Sequence, residues 1–258
     1  MKNDRIRQIM TILLKEKKVM AKDLAERFDV SLESIRRDLS QLELQGAVRK
    51  FYGGAALVEE LLPDGEAEIF QVRLTERGAE KQAIARAAAA LIRDGETVYL
   101  DSGTTAASLT PYLKERAGLT VITRSLRIAA QLGMCENLTV YCLGGAVKVD
   151  TLTNTGFMAQ ECLNFFSHID IAVLSGDGLV PQQGVVDFGM ENLAFKRSLV
   201  ERSGRVAVVI DSSKFGRTAH CLTCPTKRIT TLVTDGDVNS KAVETLRVQG
   251  VEVIVAQP

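Results

Sequence analysis

The residues best suited to binding a small ligand are Asp101-Ser102-Gly103-Thr104-Thr105, which follow an apolar run and open a helix-like run. Glycine lets the backbone approach a ligand closely. The three hydroxyls and the free N–H groups of a first helical turn can donate hydrogen bonds to an anion. These residue types predict a cradle for a phosphate group. A plain turn with a helix cap uses the same residues, so a purely structural role stays open.

Four further loops place similar residues after apolar runs. They are Thr123-Arg124-Ser125, Gly144-Gly145, Ser175-Gly176-Asp177-Gly178 and the segment 211–216, which contains Lys214. Open parallel sheets bind ligands beyond the carboxyl ends of their strands, so five such loops favour one shared site. Lys214 can supply a positive charge for phosphate. Arg124 either adds a second phosphate contact or folds away in a surface ion pair.

Continuous apolar runs alternate with helical patterns from residue 95 onward. The runs cover residues 97–101, 119–123, 138–145, 169–176, 205–211, 229–235 and 251–256. Strands of this kind, separated by helices, are typical of a mostly parallel sheet that helices cover on both faces. This part of the chain is therefore expected to be an α/β domain. Pro111 lies inside the helix expected after the Ser102 loop, where it either breaks a hydrogen bond or starts a new segment.

The first 56 residues have a different pattern, of short helices followed by a ribbon. Apolar spacing predicts helices over residues 3–16, 21–28 and 32–45, with Ser31 as the N-cap of the third helix and Gly46 at its end. The segment A-V-R-K-F-Y-G-G-A is expected to form a two-stranded ribbon that turns at Gly53-Gly54. Two helices joined by a short connection, with a ribbon after them, fit a winged helix-turn-helix.

The third helix has an apolar face for the core and a polar face that can reach DNA. Ile35, Leu39 and Leu42 form the apolar face, which places Arg37 almost opposite the core. We assign Arg37 to a base edge and Arg36 to the DNA backbone, because arginine suits both. The other residues expected to contact DNA lie on this helix, its cap and the wing: Ser31, Ser34, Gln41, Arg49, Lys50 and Tyr52. A small helical module that docks proteins is the alternative.

The net charge of zero is unevenly divided along the chain. Residues 1–56 carry 12 Lys/Arg against 8 Asp/Glu, whereas the rest carries 20 against 24. A basic head on an acidic body indicates a nucleic-acid partner for the head. No apolar run approaches the roughly 20 residues that a membrane helix needs. The first residues lack the apolar core of a secretory signal, so a cytoplasmic location without a membrane partner is expected.

The segment His220-Cys221-Leu222-Thr223-Cys224 has a spacing that zinc sites use. A closed zinc site needs four ligands, usually from two such pairs, and the only other histidine is His168. Five cysteines in a chain of 258 residues point to free thiols rather than a disulfide framework. No nucleophile motif supports a Ser-His-Asp triad. We therefore expect no metal site, no cofactor and no catalytic residue of these kinds.

The third helix and ribbon, S-L-E-S-I-R-R-D-L-S-Q-L-E-L-Q-G-A-V-R-K-F-Y-G-G-A, resemble the recognition helix and wing of the DeoR family of bacterial transcriptional repressors. Ser34 stands where that family usually has threonine, and Tyr52 where it commonly has histidine. The blocks L-D-S-G-T-T, T-R-S, L-G-G, G-D-G, G-M-E-N-L-A-F-K and D-S-S-K-F-G resemble the family's effector domain. The family usually has asparagine at Arg124 and often a basic residue at Ile171.

The resemblance implies a regulator, usually a repressor, of a carbohydrate-use operon that binds double-stranded operator DNA and answers to a phosphorylated sugar or a related metabolite. The expected domains are a winged helix-turn-helix at 1–56, a linker at 57–75 and, at 76–258, an α/β effector domain resembling ribose-5-phosphate isomerase and coenzyme A transferases. The residues expected to bind the effector are Asp101, Ser102, Gly103, Thr104, Thr105, Arg124, Ser125, Gly144, Gly145, Gly176, Asp177, Glu191 and Lys214.

The main alternative is an isomerase-like or acyl-transfer enzyme with an appended helix-turn-helix. In the related isomerase, acidic residues and a lysine transfer protons, and the corresponding places here are Asp177, Glu191 and Lys214. A pure protein-interaction scaffold would leave the strand-end loops unexplained. Because a single recognition helix gives limited specificity, a dimer or tetramer on repeated half-sites is expected.

Overall fold

The computed structural model describes residues 2–16, 18–44, 47–57, 76–149 and 151–257. The chain divides into two compact units, Met1–Gly78 and Ala79–Pro258. The predicted linker lies outside the described residues except for Leu57, and so does Gly46, the predicted end of the third helix. The predicted domain boundaries therefore stay predictions.

The N-terminal unit contains three helices and a small antiparallel sheet. Its helices are α1 (Lys2–Glu16), α2 (Ala21–Arg27) and α3 (Leu32–Leu44), and its strands are β1 (Lys18–Met20), β2 (Val48–Phe51) and β3 (Gly54–Leu57). Strand β3 pairs with both β1 and β2. The three helices and the ribbon were expected from the apolar spacing. Strand β1 was not, because three residues with one buried side chain carry no readable strand pattern.

Helix α3 begins and packs as its sequence predicts. The backbone N–H of Ser34 donates to the Ser31 hydroxyl at 3.3 Å, which confirms the N-cap. Ile35, Leu39 and Leu42 are buried, so the opposite face of the helix is left for solvent or DNA.

The ribbon turns one residue earlier than predicted. Phe51 pairs with Gly54 across the ribbon, so the two turn residues are Tyr52 and Gly53. Gly53 has a φ of +88°, a conformation that favours glycine, and Gly54 already belongs to β3. The prediction that both glycines form the turn was therefore wrong by one position.

The C-terminal unit is built around one parallel sheet of seven strands. These strands are β4 (Thr97–Leu100), β5 (Thr120–Thr123), β6 (Thr139–Cys142), β9 (Ile169–Leu174), β12 (Ser203–Val209), β14 (Thr231–Asp235) and β15 (Glu252–Ala256). Every pairing in this sheet is parallel, and the order is β15-β14-β12-β9-β4-β5-β6. All seven predicted apolar runs are strands of this sheet.

Helices and two small antiparallel sheets surround the parallel sheet. The helices are α4 (Gly78–Ala89), α5 (Thr104–Ala107), α6 (Thr110–Leu113), α7 (Leu126–Leu132), α8 (Phe157–Asn164), α9 (Leu193–Arg202) and α10 (Ser240–Val248). One small sheet pairs β7 (Ala146–Lys148) with β8 (Thr153–Thr155), and the other joins β10 (Gly178–Val180), β11 (Gly184–Asp187) and β13 (Cys221–Pro225). Three short 3-10 turns span Met190–Asn192, Ser212–Lys214 and Thr226–Arg228.

Apolar side chains fill both faces of the parallel sheet. On one face Tyr99 and Ile122 pack in a buried cluster with Leu199 of α9. On the other face Val98 and Val121 pack in a second cluster that contains alanines of α4 and apolar residues of α7. Neighbouring positions of one strand thus enter opposite clusters, as the two-residue period of a strand requires. The sheet is covered on both faces, as its apolar strands predict.

The strand order changes direction between β4 and β9. Strands β4, β5 and β6 follow one another to one side, whereas β9, β12, β14 and β15 follow to the other. Ligands of open α/β sheets bind outside the carboxyl ends of the strands at such a point. Leu100 pairs with Thr123 on one side and Val173 on the other, so the loops that follow β4, β5 and β9 lie side by side.

The chain after the loop that follows β4 forms two short helices rather than one. Helix α5 ends at Ala107, and α6 begins at Thr110 with Pro111 in its first turn. A proline there loses no helical hydrogen bond, because the first N–H groups of a helix have no intrahelical partner. Of the two roles considered for Pro111, the start of a new segment is the one that the structure shows.

Candidate functional site

The loop that follows β4 carries hydrogen-bond donors without partners. In the part of the chain that the structure describes, no partner is found for the backbone N–H groups of Gly103, Thr104 and Thr105. The hydroxyls of Ser102, Thr104 and Thr105 likewise have none there. Helix α5 has four residues, so the site depends on these donors rather than on a long helix. We call residues 102–105 the donor loop; converging donors of this kind suit an anion.

Asp101 fixes the base of the donor loop. Its Oδ1 accepts the N–H of Ser102 at 2.9 Å, and its Oδ2 accepts both the N–H and the hydroxyl of Ser175 at 3.0 Å. The Nζ of Lys196 lies 3.0 Å from the same Oδ2. A buried carboxylate with these partners repels an anion, so we interpret Asp101 as a positioning residue. Its predicted contact with the effector stays a prediction.

Gly103 lies close against the loop that follows β9. A Cβ atom at this position would lie 2.2 Å from the Ser175 hydroxyl oxygen and 2.9 Å from its Cβ, which no real packing allows. Glycine is therefore needed here for the approach of two loops. Glycine at this position was expected to let a ligand approach, and the packing of the two loops is a second cause.

Lys196 is a site residue that the sequence analysis missed. It is 3% exposed, and its Nζ lies 3.0 Å from Asp101 Oδ2 and 3.0 Å from Asp187 Oδ2 while donating to the backbone oxygen of Ser175 at 2.8 Å. Thr223 donates to the same Asp187 oxygen at 2.6 Å. The ammonium group thus joins the loop after β9 and the end of strand β11 to Asp101.

The charges of this buried cluster stabilise one another. Burial favours the neutral form of Lys196, but Asp101 and Asp187 hold its pKa above the usual range. Burial would raise the pKa of Asp101, yet Lys196 and then Arg124 hold it below the usual value. Lysine and carboxylate are therefore both charged at neutral pH.

One sequence signal could have revealed Lys196. The buried side chains of α9 are Phe195, Lys196, Leu199 and Val200, so the lysine occupies a position on the apolar stripe of an amphipathic helix. A charged residue on such a stripe calls for a buried partner. Asp187 gave no comparable signal, because the strand that carries it was not predicted.

Arg124 is buried rather than at the surface. It is 1% exposed, its Nε donates to the Tyr99 hydroxyl at 3.4 Å, and its Nη2 donates to Asn192 Oδ1 at 3.0 Å. The guanidinium carbon lies 4.0 Å from the centre of the Phe195 ring, a cation–π distance. Burial raises the pKa of Tyr99 to about 12, so that hydroxyl is neutral. The predicted surface ion pair is wrong, and the predicted phosphate contact stays a prediction.

Ser125, Gly145 and Gly176 have structural roles. Ser125 is buried and accepts the N–H of Ile128 at 3.3 Å as the N-cap of α7. A Cβ on Gly145, whose φ is +134°, would lie 2.4 Å from the backbone oxygen of Thr155. A Cβ on Gly176 would lie 2.3 Å from a methyl group of Val185. Gly144, beside Gly145, has open space around its Cβ position. Their predicted contacts with an effector stay predictions.

The three residues considered for proton transfer are only partly described. The side chain of Glu191 lies outside the described residues. Asp177 accepts the N–H of Phe188 at 3.0 Å through Oδ2, which ties it to the loop after β11. Lys214 is half-buried and ends the 3-10 turn that follows β12. The loop that carries Lys214 is separated from the donor loop by β9, because β12 and β4 both pair with β9.

The exposed face of α3 carries the two arginines. Arg37 has a side chain that is 75% exposed, with its Nε 3.4 Å from Glu33 Oε1 one helical turn earlier. Arg36 is also exposed, and its side chain has no ion pair within the described ranges. Both arginines are therefore accessible to a nucleic acid.

The wing is held against α3 by one acidic residue. Glu43 accepts the backbone N–H of Lys50 at 2.9 Å and lies 3.6 Å from its Nζ, which also donates to Ser40 at 3.0 Å. Arg49 and Tyr52 are exposed beyond this contact. The exposed residues of the wing thus lie beside α3, and with the exposed face of that helix they form the surface expected to contact DNA.

The remaining predicted DNA contacts sit at the two ends of that surface. The hydroxyls of Ser31 and Ser34 lie 2.9 Å apart at the start of α3, and Gln41 is half-buried near its end. Asp38, in the same R-R-D-L segment, is fully buried and paired with Arg5 of α1 at 2.6 Å. This acidic residue therefore fixes α3 to α1.

The described residues hold no group of three His, Cys, Asp or Glu side chains placed to bind a metal ion. Cys221 and Cys224 are buried in β13, His220 is exposed, and burial raises the pKa of Cys224 to about 12. Cys221 Sγ lies 3.0 Å from the sulfur of Met190.

Within the described residues, no helix has the length and apolar character that crossing a membrane requires.

Comparison with known proteins covers both units. Residues 5–60 match the DeoR-like helix-turn-helix domain, and residues 76–236 match the DeoR C-terminal sensor domain. The transcriptional regulator GolR of Listeria innocua is 30% identical over 254 residues, 98% of each chain. The glycerol-3-phosphate regulon repressor of Escherichia coli K12 is 30% identical over 214 residues, 82% of each chain.

A comparison of folds finds ribose 5-phosphate isomerase A from Neisseria gonorrhoeae, with a TM-score of 0.39, 15% identity, and coverage of 54% of this chain and 53% of that one. A similarity of this size carries no argument about the site. The two domain matches and the relative that aligns over nearly the whole chain show a DNA-binding transcriptional regulator. The chain therefore belongs to the DeoR family of bacterial transcriptional regulators.

Proposed function

We propose that this regulator represses a carbohydrate-use operon and that a phosphorylated sugar or related metabolite, bound at the donor loop, controls its affinity for operator DNA. The observation that carries the proposal is a set of donors that have no partner among the described residues: the N–H groups of Gly103, Thr104 and Thr105 and the hydroxyls of residues 102, 104 and 105. They lie beside the change of strand order. That one relative is a glycerol-3-phosphate regulon repressor supports a phosphorylated effector.

The donor loop suits a phosphate group because it offers several donors while the carboxylate that precedes it, Asp101, is occupied. Three backbone N–H groups and three hydroxyls can match the oxygens of a phosphate ester. Asp101 is turned to Ser175 and Lys196, so its negative charge is offset within the protein. Ser102, Gly103, Thr104 and Thr105 are therefore the residues that we propose to contact the effector directly.

We further propose that the site binds its ligand without turnover. A proton-transfer enzyme needs a group that can accept or release a proton near neutral pH. The lysine that contacts Asp101 at the base of the donor loop is Lys196, and its two carboxylate partners hold its pKa above the usual range, so it stays protonated. The rival enzyme would use Asp177, Glu191 and Lys214, and turnover of ribose 5-phosphate is the assay that would favour it.

On the DNA side, we propose that α3 enters the major groove. Arg37 exchanges its exposed partner Glu33 for a guanine edge, at little cost because an exposed ion pair is worth about 0–1 kcal/mol. Arg36 and the wing residues Arg49 and Lys50 contact phosphates. Ser31, Ser34, Gln41 and Tyr52 complete the proposed surface.

Operator binding by one such helix would be weakly specific, so we propose a homodimer or homotetramer on repeated half-sites. The effector acts by binding the DNA-competent and DNA-incompetent states with different affinities. A phosphate ester that binds the two states unequally changes the affinity for the operator. The change is set by the ratio of the ester's affinities for the DNA-competent and DNA-incompetent states.

A binding experiment on the full-length protein tests the effector site. Thermal unfolding against a panel of sugar phosphates should reveal at least one ligand that stabilises the wild-type chain, by a few kcal/mol at saturation. The double variant Ser102→Ala, Thr104→Val removes two donors and should lose this stabilisation. Thr139→Val changes an exposed threonine of β6 and serves as the control. Equal stabilisation of all three proteins would contradict the proposal.

A further inference from the structure

Arg124 is a buried cation held by neutral groups of the described residues. Its hydrogen-bond partners are the neutral Tyr99 hydroxyl and the Asn192 amide, and its flat face lies on the Phe195 ring. Among the described residues no carboxylate lies within 4.0 Å of it. Burying a charge in this way is costly unless an opposite charge accompanies it.

Two carboxylates that influence Arg124 through space are engaged elsewhere. Asp101 and Asp187 act on its charge through space, and both directly contact Lys196 instead. They help to keep the guanidinium charged, but they make no hydrogen bond with it. The guanidinium of Arg124 can therefore still donate a hydrogen bond to another acceptor.

The position of Arg124 places it beside the donor loop. Leu100 pairs with Thr123, so Asp101 and Arg124 are the first residues beyond two paired strand ends. Neighbouring strands are about 4.8 Å apart, so the two chain segments start one strand spacing from each other. Both lie at the carboxyl edge where the strand order changes direction.

One nitrogen of the Arg124 guanidinium group, Nη1, is available to a ligand. The Nε and Nη2 atoms donate to protein groups, whereas Nη1 has no partner in the described part of the chain. Tyr99, Asn192 and Phe195 hold the group in one orientation, which reduces the entropy lost when it binds a ligand.

We infer that Arg124 binds a second anionic group of the effector, so that this regulator answers to a metabolite with two anionic groups. One is the phosphate that the donor loop holds, and the other is a carboxylate or a second phosphate, both of which match a guanidinium fork. The inference rests on the proposed function of the donor loop.

The test compares ligands that differ by one anionic group, on the full-length protein. Glucose 6-phosphate is paired with 6-phosphogluconate, fructose 6-phosphate with fructose 1,6-bisphosphate, and inorganic phosphate with pyrophosphate, which needs no particular sugar. Dissociation constants come from calorimetry at constant ionic strength. In at least the last pair, the two-anion ligand should bind the wild-type protein about tenfold or more tightly than its partner. The first two pairs distinguish a carboxylate from a second phosphate.

The variant Arg124→Asn should bind the two members of each pair equally while keeping its affinity for the one-anion member. Arg205→Asn is the matched control, because Arg205 pairs with Glu96 at 2.7 Å at the opposite edge of the sheet and should leave the preference unchanged. If Arg124→Asn does not fold, Arg124→Gln replaces it. If Arg124→Asn or Arg124→Gln still binds the two-anion ligand more tightly than its one-anion partner by the same factor as the wild type, the inference is overturned.

The wild-type protein separates the two levels of the proposal. If no phosphate compound stabilises it, the proposed function fails and this inference fails with it. If phosphate esters stabilise it but the members of every pair bind equally, only the role of Arg124 is overturned.

Discussion

Lys196 of α9 and Asp101 at the end of β4 form a buried ion pair of 3.0 Å beneath the donor loop. The same ammonium group contacts Asp187 at the end of β11 at 3.0 Å and donates to the backbone oxygen of Ser175 after β9, so one lysine joins three segments of the chain. This contact positions the donor loop, because Asp101 also holds the N–H of Ser102. The candidate site therefore depends on α9 as well as on the strand ends that the sequence identifies.

Removing Lys196 should strongly destabilise the C-terminal unit. Lys196→Met leaves two buried carboxylates without their cation, which costs about 3–5 kcal/mol in comparable buried pairs. The free energy of unfolding, measured with urea, should fall accordingly. Glu33→Ala breaks the exposed pair with Arg37 and should change it by less than about 1 kcal/mol. Similar effects of the two substitutions would mean that the contacts of Lys196 with Asp101 and Asp187 do not stabilise the C-terminal unit.

The pH dependence of stability should reflect Asp101. Its pKa in the folded chain lies below the usual 3.8, because Lys196 and Arg124 outweigh the effect of burial. The stabilisation is therefore fully present above about pH 4 and is lost as the pH falls through the folded-state pKa. Unfolding temperatures measured from pH 2 to 7 should fall below pH 4 in the wild type. Asp101→Asn should start lower and fall less; parallel curves would contradict this assignment.

Gly103 should not tolerate a side chain while Ser175 is present. Gly103→Ala places a Cβ 2.2 Å from the Ser175 hydroxyl, so the donor loop must move and effector binding should fall at least tenfold. Adding Ser175→Gly removes the clashing atoms and should restore part of that affinity, although it also removes a hydrogen bond to Asp101. Calorimetric titration of the single and double variants measures the coupling. A double variant no better than Gly103→Ala would rule out the clash as the cause.

Arg37 and Arg49 should affect DNA binding in different ways. Arg37→Ala should cost about 1–3 kcal/mol of discrimination between the operator and a site with one changed base pair. Arg49→Ala should weaken binding to both DNAs alike and lower the salt dependence by about one counterion. Titrations at several salt concentrations distinguish the two patterns. A uniform loss for Arg37→Ala would move that residue from the base edge to the DNA backbone.

The parallel sheet could be predicted from the sequence because its strands are buried on both faces. Runs such as T-V-Y-L and I-D-I-A-V-L are almost continuously apolar and are separated by helices. The small antiparallel strands could not, because β7, β8 and β10 have three residues each and show no alternating pattern. The donor loop was visible for the same reason as the sheet, since it follows a clear strand.

The buried charges were harder to predict than the loops. Whether Lys196 meets Asp101 depends on where α9 crosses the sheet, and a sequence pattern does not contain that distance. Arg124 follows an apolar strand and precedes a helix, a position that suits a surface residue as well as a buried one. Only the packing of Tyr99 and Phe195 against its guanidinium decides between them.

Operator binding in the presence of phosphate esters tests the central claim most directly. DNA protection on the region upstream of the protein's own neighbouring genes would be measured with the wild-type chain, the Ser102→Ala, Thr104→Val variant and the Thr139→Val control. At least one phosphate ester should change the affinity of the wild type and of the control for the operator by tenfold or more. The same ester should leave the operator affinity of the donor-loop variant unchanged. An equal response of all three proteins to that ester would contradict control of this regulator through the donor loop.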